Sequence, residues 1–138
     1  MSQVNVFEIT GKLNVAFDTE HKAIIDKWTN YGVTLAQFED AVLKKGLDYA
    51  KAHGAKSWIV DSSAAKGAFS QEIQDCIGSK VFKKFSENGI KHFVTITSQS
   101  AVTNLSIKNY QAKAGPHGLK LVEATNLEDA LKWLKSNG

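Results

Sequence analysis

Apolar and polar positions alternate with a period of two over the first third of the chain and then change to helical spacing. Val4 and Val6, with the opposite-face pair Phe7 and Ile9, predict a strand that ends at the turn Thr10-Gly11-Lys12. Leu13, Val15 and Phe17 alternate with Asn14, Ala16 and Asp18, the mark of a half-buried second strand. After the polar turn Asp18-Thr19-Glu20, residues 21–28 carry Ile24 and Ile25 and predict a third. Thr34 and Gln37 then stand three apart as a capping box, each side chain able to satisfy a free amide of a first helical turn. Leu35, Phe38, Val42, Leu47 and Ala50 follow on one stripe, and His53-Gly54 supplies the stop.

Two more helix–strand alternations follow the strand at 56–60. A helix over about 70–88 places Ile73, Ile77, Val81 and Phe85 on one stripe, with Gly89 ending it, and leads to a strand at 91–97. A helix over 102–114 is built from the mediocre helix formers Thr103, Asn104, Ser106 and Ile107. The chain's only proline, Pro116, lies in the loop before a strand at 119–123. Asn126 caps a closing helix whose Leu127, Leu131 and Leu134 face inward, with Trp133 partly so. Alternation of this kind joins parallel strands by right-handed crossovers. The expected class is α/β: a single mixed sheet, antiparallel strands first, then helix–strand units with helices packed on the sheet. No repeat, low-complexity tract or linker divides the chain, so residues 1–138 are expected to form one domain.

Composition narrows the function. At 138 residues with 43% hydrophobic and 22% charged, the chain can bury a single core. No apolar run approaches a membrane span, and the first residues lack the basic start and apolar stretch of a signal peptide. The lone Cys76 cannot form an internal disulfide and fits a reducing compartment, so a cytoplasmic location is expected. All 17 basic residues are lysine. Without arginine the chain lacks the bidentate fork that dominates nucleic-acid recognition, and the only adjacent lysines, Lys44-Lys45 and Lys83-Lys84, read as solvated helix faces. Neither nucleic acid nor a membrane is an expected partner.

Candidate chemistry gathers where parallel strands end, at Asp61-Ser62-Ser63, at Thr97-Ser98-Gln99-Ser100 and at Ala124-Thr125-Asn126. Ligands of open α/β sheets bind at that edge, so Asp61, Ser62, Ser63 and Ser98 are the expected binding residues. Ser100 and Asn126 read better as helix caps, while Asp61 reads equally as a site residue or as a turn former. His21, His53, His92 and His117 stand at no zinc-like spacing, so no metal is expected. No phosphate loop or nucleophile elbow occurs, and no cofactor is expected. Cys76 falls beside Ile73 and Ile77 and reads as a small core residue. Trp28 and Tyr31 could wall a ligand or a dimer contact, but a core plug is the favoured reading.

The strand ending in Val60-Asp61-Ser62-Ser63, the helix opening at Ser70, and the strand through His92-Phe93-Val94-Thr95-Ile96 together resemble the STAS domains. These are the SpoIIAA-like relatives of bacterial anti-sigma-factor antagonists. The Trp28 region, Trp58-Ile59-Val60-Asp61 and Ala130-Leu131-Lys132-Trp133-Leu134 look like a small bacterial branch of that group. The resemblance covers most of the chain in pattern, through short motifs. It implies a binding module in which Asp61 matches the acid closing a strand and Ser70 matches a helix-start hydroxyl that partner kinases phosphorylate. A phosphate there would meet free helix amides. Phe69 departs from the family, which has an acid just before that hydroxyl, so N-capping is the expected role of Ser70.

The leading expectation is a non-enzymatic module that binds a protein partner or small ligand at the rim formed by Asp61, Ser62, Ser63, Ser70 and Ser98. Two other classes stay open. One is a small enzyme using Asp61 or a histidine as acid and base. The other is a self-associating protein, such as a homodimer, that buries the first hairpin or the Trp28–Tyr31 corner.

Overall fold

The structure is a computed structural model and describes residues 3–67, 69–97 and 120–137. Six strands lie side by side in chain order: β1 (Gln3–Ile9), β2 (Leu13–Asp18), β3 (Ala23–Trp28), β4 (Ser57–Asp61), β5 (His92–Ile96) and β6 (Lys120–Ala124). β1, β2 and β3 form an antiparallel meander, and β3 through β6 run parallel. Three helices are present among the described residues. α1 runs Leu35–Glu39, widens to π-helical geometry over Asp40–Gly46 and resumes at Leu47–His53. α2 does the same through Gln71–Cys76, Ile77–Val81 and Phe82–Glu87. α3 is Leu127–Asn137.

The in-line order decides where the helices go. Successive right-handed crossovers that step the same way across a sheet must lie on the same face. α1 and α2 accordingly pack on one face, over Leu13, Val15, Phe17, Ile24, Trp28, Trp58, Val60 and Phe93. α3 covers the other, where Ala130 and Leu134 meet Ala23, Ile25, Ile59, Val94 and Ile96. The mixed α/β sheet read from the pattern is therefore the observed one. The helix expected over 102–114 lies outside the described residues, as do Ser98, Ser100, Pro116 and His117.

Local signals behave as their chemistry requires. Thr34 and Gln37 form the reciprocal capping box, Gly54 closes α1 at φ 69°, and Asn126 Oδ1 accepts from the Asp129 amide at 2.8 Å. In β1 the register slips between Asn5 and Phe7. That bulge lets Val6 and Phe7 both pack against the core although they are adjacent in sequence. β3 starts at Ala23 rather than at residue 21, because the Asp18 carboxylate ties down the amides of Glu20 and His21, and Lys22 turns the chain at φ 54°.

One contact fixes how closely α1 approaches the sheet. A Cβ on Gly46 would stand 2.8 Å from Cη2 of Trp58. Alanine favours a helix over glycine by about 1 kcal/mol, whereas overpacking of this kind costs about 1–3 kcal/mol. Gly46→Ala is therefore expected to lower stability in urea denaturation despite its better propensity. An unchanged or raised midpoint would show that α1 is not held at that distance.

Candidate functional site

The ends of the parallel strands are brought together as the pattern predicted. The Ser62 amide donates to the carbonyl of Ile96 at 3.1 Å, and the Thr97 amide to that of Ala124 at 3.3 Å, so the turns after β4, β5 and β6 share one edge. Their side chains play different parts. Asp61 is buried, and its Oδ1 accepts from the Ser63 amide at 3.0 Å and the Ser63 hydroxyl at 2.7 Å. Ser62 is fully buried and its hydroxyl is bonded to that of Tyr31. Ser63 and Ser70 are exposed, and Ser70 Oγ caps α2 by accepting from the Ile73 amide at 3.3 Å. Ser98 lies outside the described residues.

These bonds build a braced ledge. The loop after β4 pairs back onto the loop after β3, with the Lys66 amide donating to Thr29 and the Tyr31 amide to Lys66. Tyr31 itself stacks on Phe69 at 4.0 Å, and Trp28 meets both rings edge-on. The Trp28–Tyr31 corner is thus part of the core.

Beside this ledge, at the carboxyl ends of β5 and β6, lies a depression of about 470 Å³. Thr97 and Thr125 give it hydroxyls and Asp129 a carboxylate, while Val122, Ala124 and Trp133 supply its apolar part. Glu123 borders it through the strand, alternating with Val122 and Ala124 and so sharing the α1–α2 face with Leu121. Thr125 Oγ1 donates to Asp129 Oδ2 at 2.6 Å, which orients that carboxylate at the start of α3. The pattern identified the edge but not Asp129 or Trp133, which come from α3 rather than from the turns.

The opposite edge holds a second, larger basin of about 610 Å³. Lys22, Lys56, Lys91 and Lys135 surround it, with His21 and His92 between them and Glu20 as the one acid lining it among the described residues. The lysines that looked scattered along the chain are here drawn together, because Lys22, Lys56 and Lys91 each directly precede a parallel strand. That recurrence was the available signal. Ser57 Oγ stands 3.3 Å from His92 Nδ1. Burial, then Lys120 and Lys91, push the His92 imidazole below its ordinary value.

A third feature is internal. Asp26 points to the α1–α2 face between Ile24 and Trp28 and is 2% exposed. Its Oδ2 accepts from Trp58 Nε1 at 2.8 Å, and Oδ1 has no hydrogen-bond partner among the described residues. It lines a cavity of about 20 Å³ whose other walls, among the described residues, are apolar or aromatic, with Val42, Ile77 and Val81 contributed by the widened turns of α1 and α2. Burial pushes the carboxyl up from 3.8 to about 7, opposed by the Trp58 hydrogen bond. The period-two frame already held this residue, since Ile24, Asp26 and Trp28 must share a face. Cys76, by contrast, is the buried core residue its spacing indicated, its thiol pushed up by burial and by Glu39.

Among the described residues no three His, Cys, Asp or Glu side chains converge as metal ligands, and no helix is long and apolar enough to cross a membrane.

Because Asp26 takes up its proton more readily folded than unfolded, its stabilising contribution is complete below about pH 4. It is lost as pH rises to 7. The raised value corresponds to about 4 kcal/mol over that window. Asp26→Asn should flatten the stability-versus-pH curve by an amount of that order. Parallel curves for the two proteins in denaturation at pH 4, 6 and 8 (about two-unit steps) would refute the assignment.

Comparison of the chain with protein-family models, with curated proteins and with solved structures finds no match.

Proposed function

We propose that the protein is a non-enzymatic binding module whose ligand occupies the carboxyl-end depression between β5, β6 and α3. The observation that carries this reading is the depression itself. Its volume of about 470 Å³ lies within the range of small-molecule sites, and it combines an apolar part with a few polar groups. The neighbouring hydroxyls support a binding role, since Ser62, Ser63 and Ser70 are engaged in bracing turns and capping a helix. The likeness to STAS domains points the same way, toward a module that acts by association. A cytoplasmic setting belongs to the same proposal and rests on the single cysteine.

The chemistry of the depression selects the ligand class. Asp129 is an acceptor when ionised, and Thr97 and Thr125 offer hydroxyls. A small molecule with hydrogen-bond donors, such as an amine or a polyol, complements this set, and an anion does not.

Titration of putrescine, glucose and succinate, followed by amide NMR, tests the reading. The amides of Thr97, Thr125 and Asp129 should move with the diamine or the sugar. Asp129→Asn should weaken that binding roughly tenfold, the worth of one charge-assisted hydrogen bond. Shifts with succinate alone, or shifts lying wholly elsewhere, would reject the site.

A further inference from the structure

The amino ends of the parallel strands carry a second group of charged side chains, at the edge opposite the carboxyl-end depression. The Lys56 amide donates to the Lys22 carbonyl at 2.9 Å, and the Lys91 amide to the Lys56 carbonyl at 2.8 Å. These rungs place three lysines in a row across adjacent strands, spaced about 4.8 Å apart, so that the row spans about 10 Å. The Lys120 amide continues the ladder onto the Lys91 carbonyl at 3.0 Å. Lys135 approaches from the end of α3. No ion pair among the described residues involves any of these five lysines. His21 is different, since its ring lies 3.1 Å from the Asp18 carboxylate.

A purely architectural explanation can be weighed. α1, α2 and α3 all end at this edge, and each helix carboxyl end carries about half a negative charge. Those termini, Glu20 and the Asp18 carboxylate beside His21 together offset about 3.5 of the five lysine charges. A net cationic basin remains, and the downward push of Lys120 and Lys91 on His92 is its local effect.

We propose that this basin binds a compact anion bearing two or more phosphate groups. The row supplies several point charges from regularly spaced backbone positions, and lysine binds phosphate as a point charge without the planar fork that arginine presents to carboxylates. A short phosphate chain lies along such a row, whereas a single phosphate reaches only part of it. The basin's volume admits a ligand of that size.

Isothermal titration with sodium tripolyphosphate tests the proposal on the full chain. Lys56→Gln/Lys91→Gln should weaken binding tenfold or more. Lys83→Gln/Lys84→Gln removes the same charge from exposed positions on α2 and should change it less than twofold. Inorganic phosphate should bind far more weakly than the chain. Denaturation midpoints of both variants, expected to match the parent, confirm folding, and single Lys56→Gln serves if the double variant is unstable. Equal losses in the two double variants would reduce the effect to net charge and overturn the site. So would the absence of tripolyphosphate binding at low salt, or tighter binding of a single-stranded oligonucleotide through the same lysines.

Discussion

Trp58 is the point at which the sheet and both helices of one layer are fixed relative to each other. Its indole is fully buried, stacks on Phe85 of α2 at a centroid distance of 4.2 Å, and meets the bare backbone of Gly46 in α1. Its N–H reaches across to Asp26 of β3. A large aromatic ring offers most of its stabilisation as buried area, but its one polar atom has to be satisfied wherever it lands. The close approach of α1, the pairing of β3 with β4, and the presence of a carboxyl in an apolar layer all follow from placing this ring there.

The in-line strand order has an equally wide consequence. It sends α1 and α2 to one face and leaves α3 to close the other. It also gives the parallel part of the sheet two chemically opposite edges. Turns with hydroxyls and carboxylates gather where β4, β5 and β6 end, and lysines gather where they begin. Neither edge depends on the other, since the first is set by turn and helix-cap chemistry and the second by the residue entering each strand.

Strand and helix identities were legible because their periods are distinct and their ends carry strong local chemistry. Thr34–Gln37, Gly54, Gly89 and Asn126 each mark a boundary through a bond or a positive φ that few other residues supply as well. The shared carboxyl edge was legible too, since handed crossovers leave little choice. Side-chain direction within the turns was not. Ser62 and Ser63 are adjacent and alike, yet one is sealed beneath Tyr31 and the other is exposed. The π-helical widening of α1 coincides with the five-residue step from Val42 to Leu47, and that of α2 with the unbroken four-residue steps of Ile73, Ile77 and Val81. An ordinary amphipathic stripe accommodates both spacings, so neither singled the widening out. The lysine row was hidden for a different reason: residues 34 and 35 positions apart become neighbours only once the strand register is known.

Asp26 shows what the central tryptophan requires of its surroundings. An indole N–H left unpaired in this layer would cost about 1–3 kcal/mol, and the neighbouring backbone carbonyls of a central strand are occupied by the sheet. A carboxyl satisfies the N–H at the expense of its own ionisation, because burial disfavours the charged form. The adjoining cavity is about the size of one water, but among the described residues Asp26 is the only charged group lining it. A buried water normally needs two to four polar partners, so the space does not offer the carboxylate the solvation it lost. Around neutral pH the charged and uncharged forms of Asp26 therefore lie close in energy, in the layer that holds α1, α2 and the sheet together. A domain stabilised by about 5–15 kcal/mol thus has a sizeable fraction of that margin controlled by one proton at the centre of its core.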